Sequence, residues 1–265
     1  MGERLVLSFH GLGPIPDGVV ADERPYWCDE DVFISILDAI PGVSEASGIP
    51  IEITFDDGNA SDAEIALPAL AERGLRAAFF VCAGRIGSPG YLDAPAMADL
   101  LAADMRIGSH GWSHQDWRTV DEAMLTQEIE TARHTIADAI GREVDEVAIP
   151  FGSYDRRVIG RLRRGGLTTV FTSDGGRAPS GGWLVPRQAY TVSWGAGSLE
   201  DFATEQVATT ESVKRTVVRQ LTRLRCRGRW LRSPAAPSRS RCGRRPCRVV
   251  ARARTWRTGR PHSDR

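Results

Sequence analysis

The chain has 265 residues, enough for one large α/β domain with a well-buried core. Its 34 basic and 34 acidic side chains cancel, but the balance conceals two opposite parts. Residues 1–210 hold 32 Asp and Glu against 16 Arg, and residues 211–265 hold 18 Lys and Arg against 2 acids. Five cysteines with no CxxC pair and no even spacing exclude a disulfide framework and a zinc knuckle. No apolar run reaches membrane-spanning length. The run at the amino end is too short for a signal peptide and is interrupted by His10, which leads to the expectation of a cytoplasmic chain.

In chain order, residues 4–9 form an apolar first strand that ends at His10-Gly11. A loop with Pro14, Pro16, Gly18 and Pro25 follows, then a short amphipathic helix over 31–40 that Pro41-Gly42 should break. Residues 50–56 form a second strand, rich in β-branched and aromatic side chains, that stops at Gly58-Asn59. A helix over 61–73 is ended by Gly74, a third strand covers 76–82, a helix 95–103, and a short fourth strand 106–109 runs into His110. A long helix is expected over 121–140, with Met124, Leu125, Ile129, Ile136 and Ile140 as its apolar side. A fifth strand at 144–149, a Pro150-Phe151-Gly152 turn, a helix over 154–164, a sixth strand at 167–172 and a strand within 184–192 complete the body. Strands and helices alternating at this spacing argue for right-handed crossovers and a parallel sheet or barrel.

Two places carry chemistry. Asp56 and Asp57 lie side by side where a strand runs out into a loop, the end of an α/β sheet where ligands collect. Adjacent buried acids repel and lose solvation, so a cation or a shared proton must offset them. Asp-Asp-Gly also ends strands in proteins that bind nothing, so the pair gains meaning only from its partners. His110 and His114, four residues apart after another strand, supply two imidazoles able to converge on one ion. Two imidazoles and one carboxylate with open positions suit a catalytic divalent metal, and the second carboxylate is then free to take a proton from water.

Thr54-Phe55-Asp56-Asp57-Gly58 and His110-x-x-Ser113-His114 resemble the first two motifs of the NodB-type polysaccharide deacetylases, carbohydrate esterase family four. The resemblance implies an irregular (β/α)7-type barrel and metal-dependent removal of acetyl groups, N-acetyl before O-acetyl, from a carbohydrate. It implies Asp56 as general base and Asp57, His110 and His114 as metal ligands. Zinc is the most natural ion for mixed His and Asp ligation, and cobalt or nickel also fits. The substrate so implied is an acetylated oligo- or polysaccharide, not a nucleic acid.

Other motifs depart from the family pattern. Residues 147–155 resemble its third motif, Arg-x-Pro-aromatic, but Ala148 stands in place of the Arg. The Phe151 amide can still donate to an oxyanion, Pro150 joins the substrate contacts, and Arg187 is the best substitute partner for Asp56. The alternative for Arg187 is an ordinary surface ion pair. Gly111 replaces the Ser or Thr that usually follows the first His, which should loosen the loop. The family's last motif, an apolar strand ending in a catalytic His, is missing near the carboxyl end, where His262 sits among Arg residues. Residues 5–11 have its form instead, as in the permuted arrangement of poly-N-acetylglucosamine deacetylases, which makes His10 the acid for the leaving group.

Trp112, Trp117, Trp183 and Trp194 fall in loops after strands, where they either stack on sugar rings, Trp112 being nearest the metal loop, or pack beneath the loops. Asp93 and Asp116 lie near the same rim. The domain boundaries expected are 1–210 for the catalytic body and 211–265 for an Arg-rich, disordered tail. Two readings of the tail stand: a polyanion-binding segment, or an out-of-frame end of a GC-rich gene in a chain with a single Lys. Two rival functions share the residues: a non-catalytic carbohydrate-binding relative, favoured by the missing Arg, and a hydrolase of small cyclic amides, which needs a closed pocket.

Overall fold

The computed structural model describes residues 2–195 and 197–204. The boundary at 210, the Arg-rich segment, Cys226, Cys242, Cys247 and His262 lie outside the described residues. The first strands and helices are β1 (Glu3–Phe9), α1 (Glu30–Ser47), β2 (Ile51–Phe55), α2 (Leu67–Glu72), β3 (Ala77–Val81), α3 (Ala94–Ala102) and β4 (Arg106–Ser109). They are followed by α4 (Glu122–Thr126), α5 (Ala132–Ile140), β5 (Glu146–Ala148), α6 (Arg156–Arg164) and β6 (Thr169–Thr172). Three short strands, β7 (Ala178–Pro179), β8 (Leu184–Pro186) and β9 (Gln188–Ala189), and the helix α7 (Ser198–Thr204) end the described chain. Wide π-helical turns at Asp62–Ala66 and Gln127–Thr131 lead into α2 and join α4 to α5.

β1-β2-β3-β4-β5-β6-β8 pair in that order, all parallel. β9 then pairs in parallel with β1, while β7 pairs antiparallel with it. Arg187 alone separates β8, beside β6, from β9, beside β1. One residue therefore brings the two edges of the sheet together in a nearly closed (β/α)7-type barrel.

Strand alternation decides what faces inward. Leu5, Leu7 and Phe9, Ile53 and Phe55, and Ala77, Phe79 and Val81 pack outward with Phe33, Leu37, Leu70, Met97 and Ile136 of the helices. A second outer cluster joins Val147, Ile149 and Val170 to Leu125, Ile129, Val158 and Leu162. The inward set is Val6, Ala78, Phe80, Ala148, Phe171 and Val185, accompanied by buried Ser8, Thr54 and Asp56.

The first helix does not stop at Pro41. It continues to Ser47 because Phe33, Leu37, Ile40 and Val43 form one continuous buried face, which outweighs the hydrogen bond proline removes. Gly48, in a left-handed conformation at φ 67°, ends it. Met124, expected on the apolar side of the long helix, is 39% exposed. β7 and β9, at two residues each, are too short to show a period, and no expectation covered α7.

Phe55 stacks on Phe79 at 4.7 Å and meets the edge of Phe33 at 5.8 Å. Phe55→Ala is expected to lower unfolding free energy by about 3–5 kcal/mol. Urea titration followed by tryptophan fluorescence measures it, and a loss below about 1 kcal/mol contradicts this packing account.

Candidate metal centre

The β2 strand ends with consecutive side chains turned to different tasks. Asp56 N–H donates to Phe9 O at 2.9 Å, which keeps Asp56 in the strand and its carboxylate inside the barrel. Asp57 then takes a left-handed conformation at φ 77°, uncommon for a non-glycine residue, and Gly58 follows at φ 72°. A methyl group on Gly58 would lie 2.9 Å from Val81 Cγ1, so only glycine lets this turn lie against β3.

Asp56 and Arg187 form a bidentate pair inside the barrel, with Nη1 to Oδ1 at 2.7 Å and Nη2 to Oδ2 at 2.6 Å. Arg187 is 0% exposed and Asp56 2%. The guanidinium also donates to Thr54 Oγ1 at 3.0 Å and lies over the Phe80 and Phe171 rings at 5.5 and 5.7 Å. Burial works to raise the Asp56 carboxyl, but the Arg187 charge and its two hydrogen bonds, aided by His110, hold it well below the usual carboxylate range. Arg187 is thus no surface ion pair. It enters from the far end of the chain where the expected Arg is absent, and the small Ala148 belongs to the same interior cluster as the two rings that flank it.

His110 is fixed twice: its N–H donates to Val81 O at 2.8 Å, and its Nδ1 donates to Ala148 O at 2.9 Å. A carbonyl can only accept, so Nδ1 carries a proton and Nε2 is the nitrogen left to meet a ligand. That Nε2 is buried and has no hydrogen-bond partner among the described residues. His114 follows at φ 58°, its Nε2 3.6 Å from Asp57 Oδ1. Burial lowers its pKa to about 4, so its ring is neutral at pH 7. Asp57 is tuned likewise: burial pushes the carboxyl up, and His114 and His110 bring it below its ordinary value.

One ligand atom from each of Asp57, His110 and His114 lies within 4.8 Å of the other two. Two imidazoles, one of them with an orphaned buried nitrogen, and a carboxylate fit a divalent ion. Asp56 is not one of the three, although its Oδ2 lies 3.9 Å from His110 Nε2.

His10 lies at the end of β1, with its ring 5.1 Å from that of Tyr26 and its Nδ1 buried without a hydrogen-bond partner among the described residues. Burial lowers its pKa against the opposing pull of Asp56 and Asp57. Phe151 is 61% exposed, at φ 57°, with its ring 4.3 Å from that of His114. Of the expected substrate contacts, Trp112 is half-buried against the outer core and Pro150 is buried. Trp117 is 0% exposed, which rules out stacking on a sugar. Asp93 caps α3 by accepting from Ala96 N at 2.9 Å, and Asp116 accepts from Arg118 N at 3.0 Å.

Three residues were not anticipated. Arg85 reaches Asp57 Oδ1 at 3.2 Å while lying over the Tyr91 ring. Glu128, buried, supports the His110–His114 loop. Asp62 is 0% exposed, neither carboxylate oxygen has a hydrogen-bond partner among the described residues, and burial raises its pKa well above the ordinary value. Glu128 left a trace in the sequence: an acid three residues after Leu125, on the buried side of the helix. Arg85 and Asp62 left none.

Residues 44–170 match the family model described as polysaccharide deacetylase. The match covers just under half of the chain. The matched segment contains Asp56, Asp57, His110, His114 and Phe151 and stops short of His10 and Arg187, at either end. Among curated relatives, a chitin deacetylase from Pestalotiopsis sp is 30% identical over 115 residues, 43% of this chain and 38% of that protein. A putative polysaccharide deacetylase, YxkH, from Bacillus subtilis is 22% identical over 126 residues, 48% of this chain and 45% of that protein. The match thus spans less than half the length of either relative. Among solved structures, the Streptococcus pyogenes deacetylase PplD in complex with acetate superposes with a TM-score of 0.66 at 18% identity, covering 76% of this chain and 98% of that one. IcaB from Ammonifex degensii gives 0.64 at 19% identity, covering 77% and 98%. These likenesses establish the fold, including the nearly closed barrel, well beyond the 44–170 segment.

Arg187→Met leaves the Asp56 carboxylate buried and unpaired, so it is expected to lose about 3–5 kcal/mol of stability at pH 7. The parent's Asp56 pKa is depressed by folding. Its contribution is complete above the unfolded value near 4 and is lost as pH falls through the folded value. Urea midpoints measured from pH 7 down to 3 should therefore draw closer for parent and variant at the acid end without meeting, because the folded value lies lower still, and a constant difference across that range contradicts the pairing.

Proposed function

We propose that this protein hydrolyses acetyl groups from a carbohydrate, N-acetyl in preference to O-acetyl, with a divalent metal, zinc foremost and cobalt or nickel as alternatives, held by Asp57, His110 and His114. The observation that carries the reading is the division of labour within one acid pair. Asp57 joins the two imidazoles, whereas Asp56, 3.9 Å from His110 Nε2, has both oxygens engaged by Arg187 and remains ionised. When bound, the metal supplies Lewis acidity toward the acetyl carbonyl and a lowered water pKa, which a base as weak as Asp56 requires.

Asp56 accepts the proton of the attacking water, oriented by Arg187 and by the longer 3.4 Å contact from Ser8 Oγ. The Phe151 amide, at a turn of positive φ, is assigned to the oxyanion of the tetrahedral intermediate. His10, neutral at rest because it is buried, takes up a proton and passes it to the departing nitrogen. Arg187 supplies the partner whose absence at position 148 was the support for a non-catalytic binding module.

Acetate release is to be measured from chito-oligosaccharides and from acetylated xylan, with chelator and after adding zinc back. The expected result is release from the first above the second, abolished by chelator and restored by zinc. Asp56→Asn should lower kcat by about 10²–10⁴. No acetate from either glycan, with sugar affinity retained, overturns the proposal in favour of a binding module. A separate outcome is expected at His10. An amine leaving group needs a proton and an aryl oxide does not, so His10→Ala should slow N-acetyl substrates at least tenfold more than an activated aryl acetate. Equal losses on both would remove His10 from this role.

A further inference from the structure

His110 is held directly by the barrel, but His114 is not: it stands four residues beyond β4, in a left-handed conformation at φ 58°. A non-glycine residue keeps such a conformation only where its surroundings over-determine it. The intervening loop has two flanks. On one, Gly111 O and Trp112 O accept from Ala83 N and Gly84 N, each at 2.9 Å, which ties the loop to the segment after β3.

On the other flank lies a single side chain, Glu128. Its Oε2 accepts from Trp112 N at 2.9 Å and from Trp117 Nε1 at 3.2 Å. Its Oε1 accepts from Ser113 N at 3.0 Å and Ser113 Oγ at 2.6 Å. Four donors thus converge on one carboxylate that is 0% exposed. All four are neutral N–H or O–H groups. Together they supply the two acceptor sites of each oxygen with a donor, the condition under which a buried charge is tolerated.

Two further features fit this arrangement. Gly111 sits at φ 89°, and a methyl group there would lie 2.4 Å from Glu128 Oε2. The glycine that departs from the family pattern therefore leaves no slack, because the carboxylate occupies the space. In addition, Glu128 belongs to the wide π-helical turn Gln127–Thr131, between buried Leu125 and buried Ile129 and Ala132. Such turns place one extra residue in a helix and gather at functional sites.

We propose that Glu128 is a positioning residue: its carboxylate fixes the 111–114 loop so that His114 meets Asp57 and His110 in ligating geometry. This rests on the metal reading above. It assigns Glu128 no contact with ion or substrate, and it acts through the loop amides.

The test uses the full chain with Glu128→Gln, which keeps the size but turns one acceptor into a donor facing donors. Hydrogen exchange of the Trp112 and Ser113 amides, zinc affinity by calorimetry and the metal-free melting temperature are measured together. In the folded variant those two amides should exchange at least tenfold faster while Val81 and Ile107 in the strands keep their protection. Zinc should bind about 10–100-fold more weakly. Trp117→Phe, which removes one donor and keeps the ring packing, should shift both quantities in the same direction by a smaller factor, and it serves if Glu128→Gln does not fold. Unchanged exchange at Trp112 and Ser113, or a lowered melting temperature with unchanged zinc affinity, overturns the positioning role. A parent chain that binds no zinc overturns the metal reading instead, and the exchange comparison still decides whether Glu128 holds the loop.

Discussion

A buried guanidinium and a buried carboxylate, joined by two short hydrogen bonds, tie the architecture of this protein to its chemistry. Arg187 is the one residue between β8 and β9, the point at which the sheet returns to its first strand. Its side chain crosses the interior to Asp56 at the end of β2. Closing the barrel and fixing the free acid of the pair are therefore one event. A buried ion pair of this kind contributes little to stability compared with an apolar replacement, because desolvation offsets most of the attraction. Its value lies in leaving Asp56 ionised, oriented and separate from the metal ligands.

The arrangement carries a chemical compromise. The guanidinium that orients Asp56 also depresses its pKa, so the carboxylate is always available and only weakly basic. On the proposed reading, a water that approaches it must already be acidified, the contribution a divalent ion held by Asp57, His110 and His114 would make. The ligands are prepared for the ion in a complementary way. His110 has its Nδ1 engaged by Ala148 O, which leaves Nε2 facing inward, and burial keeps His114 neutral at pH 7. Ala148, which departs from the family's third motif, thus serves through its backbone carbonyl.

Rigidity is distributed unevenly around this centre. Strand hydrogen bonds place Asp56 and His110, whereas Asp57, His114 and Phe151 all adopt left-handed conformations on the loops that follow. These strained positions are supported from the next layer: the turn at Gly58 packs on Val81, and the loop before His114 is held between the backbone of Ala83 and Gly84 and the carboxylate of Glu128. The two π-helical turns occur in the helical segments that follow these loops in sequence. The strained side chains cluster where the chemistry is proposed, as strain stored at functional sites does.

Alternation of apolar strands with amphipathic helices was enough to read a parallel β/α architecture, and the acid doublet with a four-residue His spacing was enough to single out the candidate ligand group and the family model that residues 44–170 match. Local rules determine these features: side-chain period, turn residues and the needs of a cation. Arg187 could be chosen from sequence only as the best replacement for a missing Arg. Its burial and its grip on Asp56 depend on barrel closure, which pairs strands more than 130 residues apart. Trp117 and Pro150 looked like possible sugar contacts because loop position says nothing of burial, and helix α1 passed Pro41 because its buried face extends beyond what one residue's propensity indicates. Arg85 and Asp62 became visible only in three dimensions, and Glu128 showed in the sequence only as an acid on the buried side of a helix. Their meaning lies in what they touch or fail to touch across the fold, and long-range packing decides that where local pattern cannot.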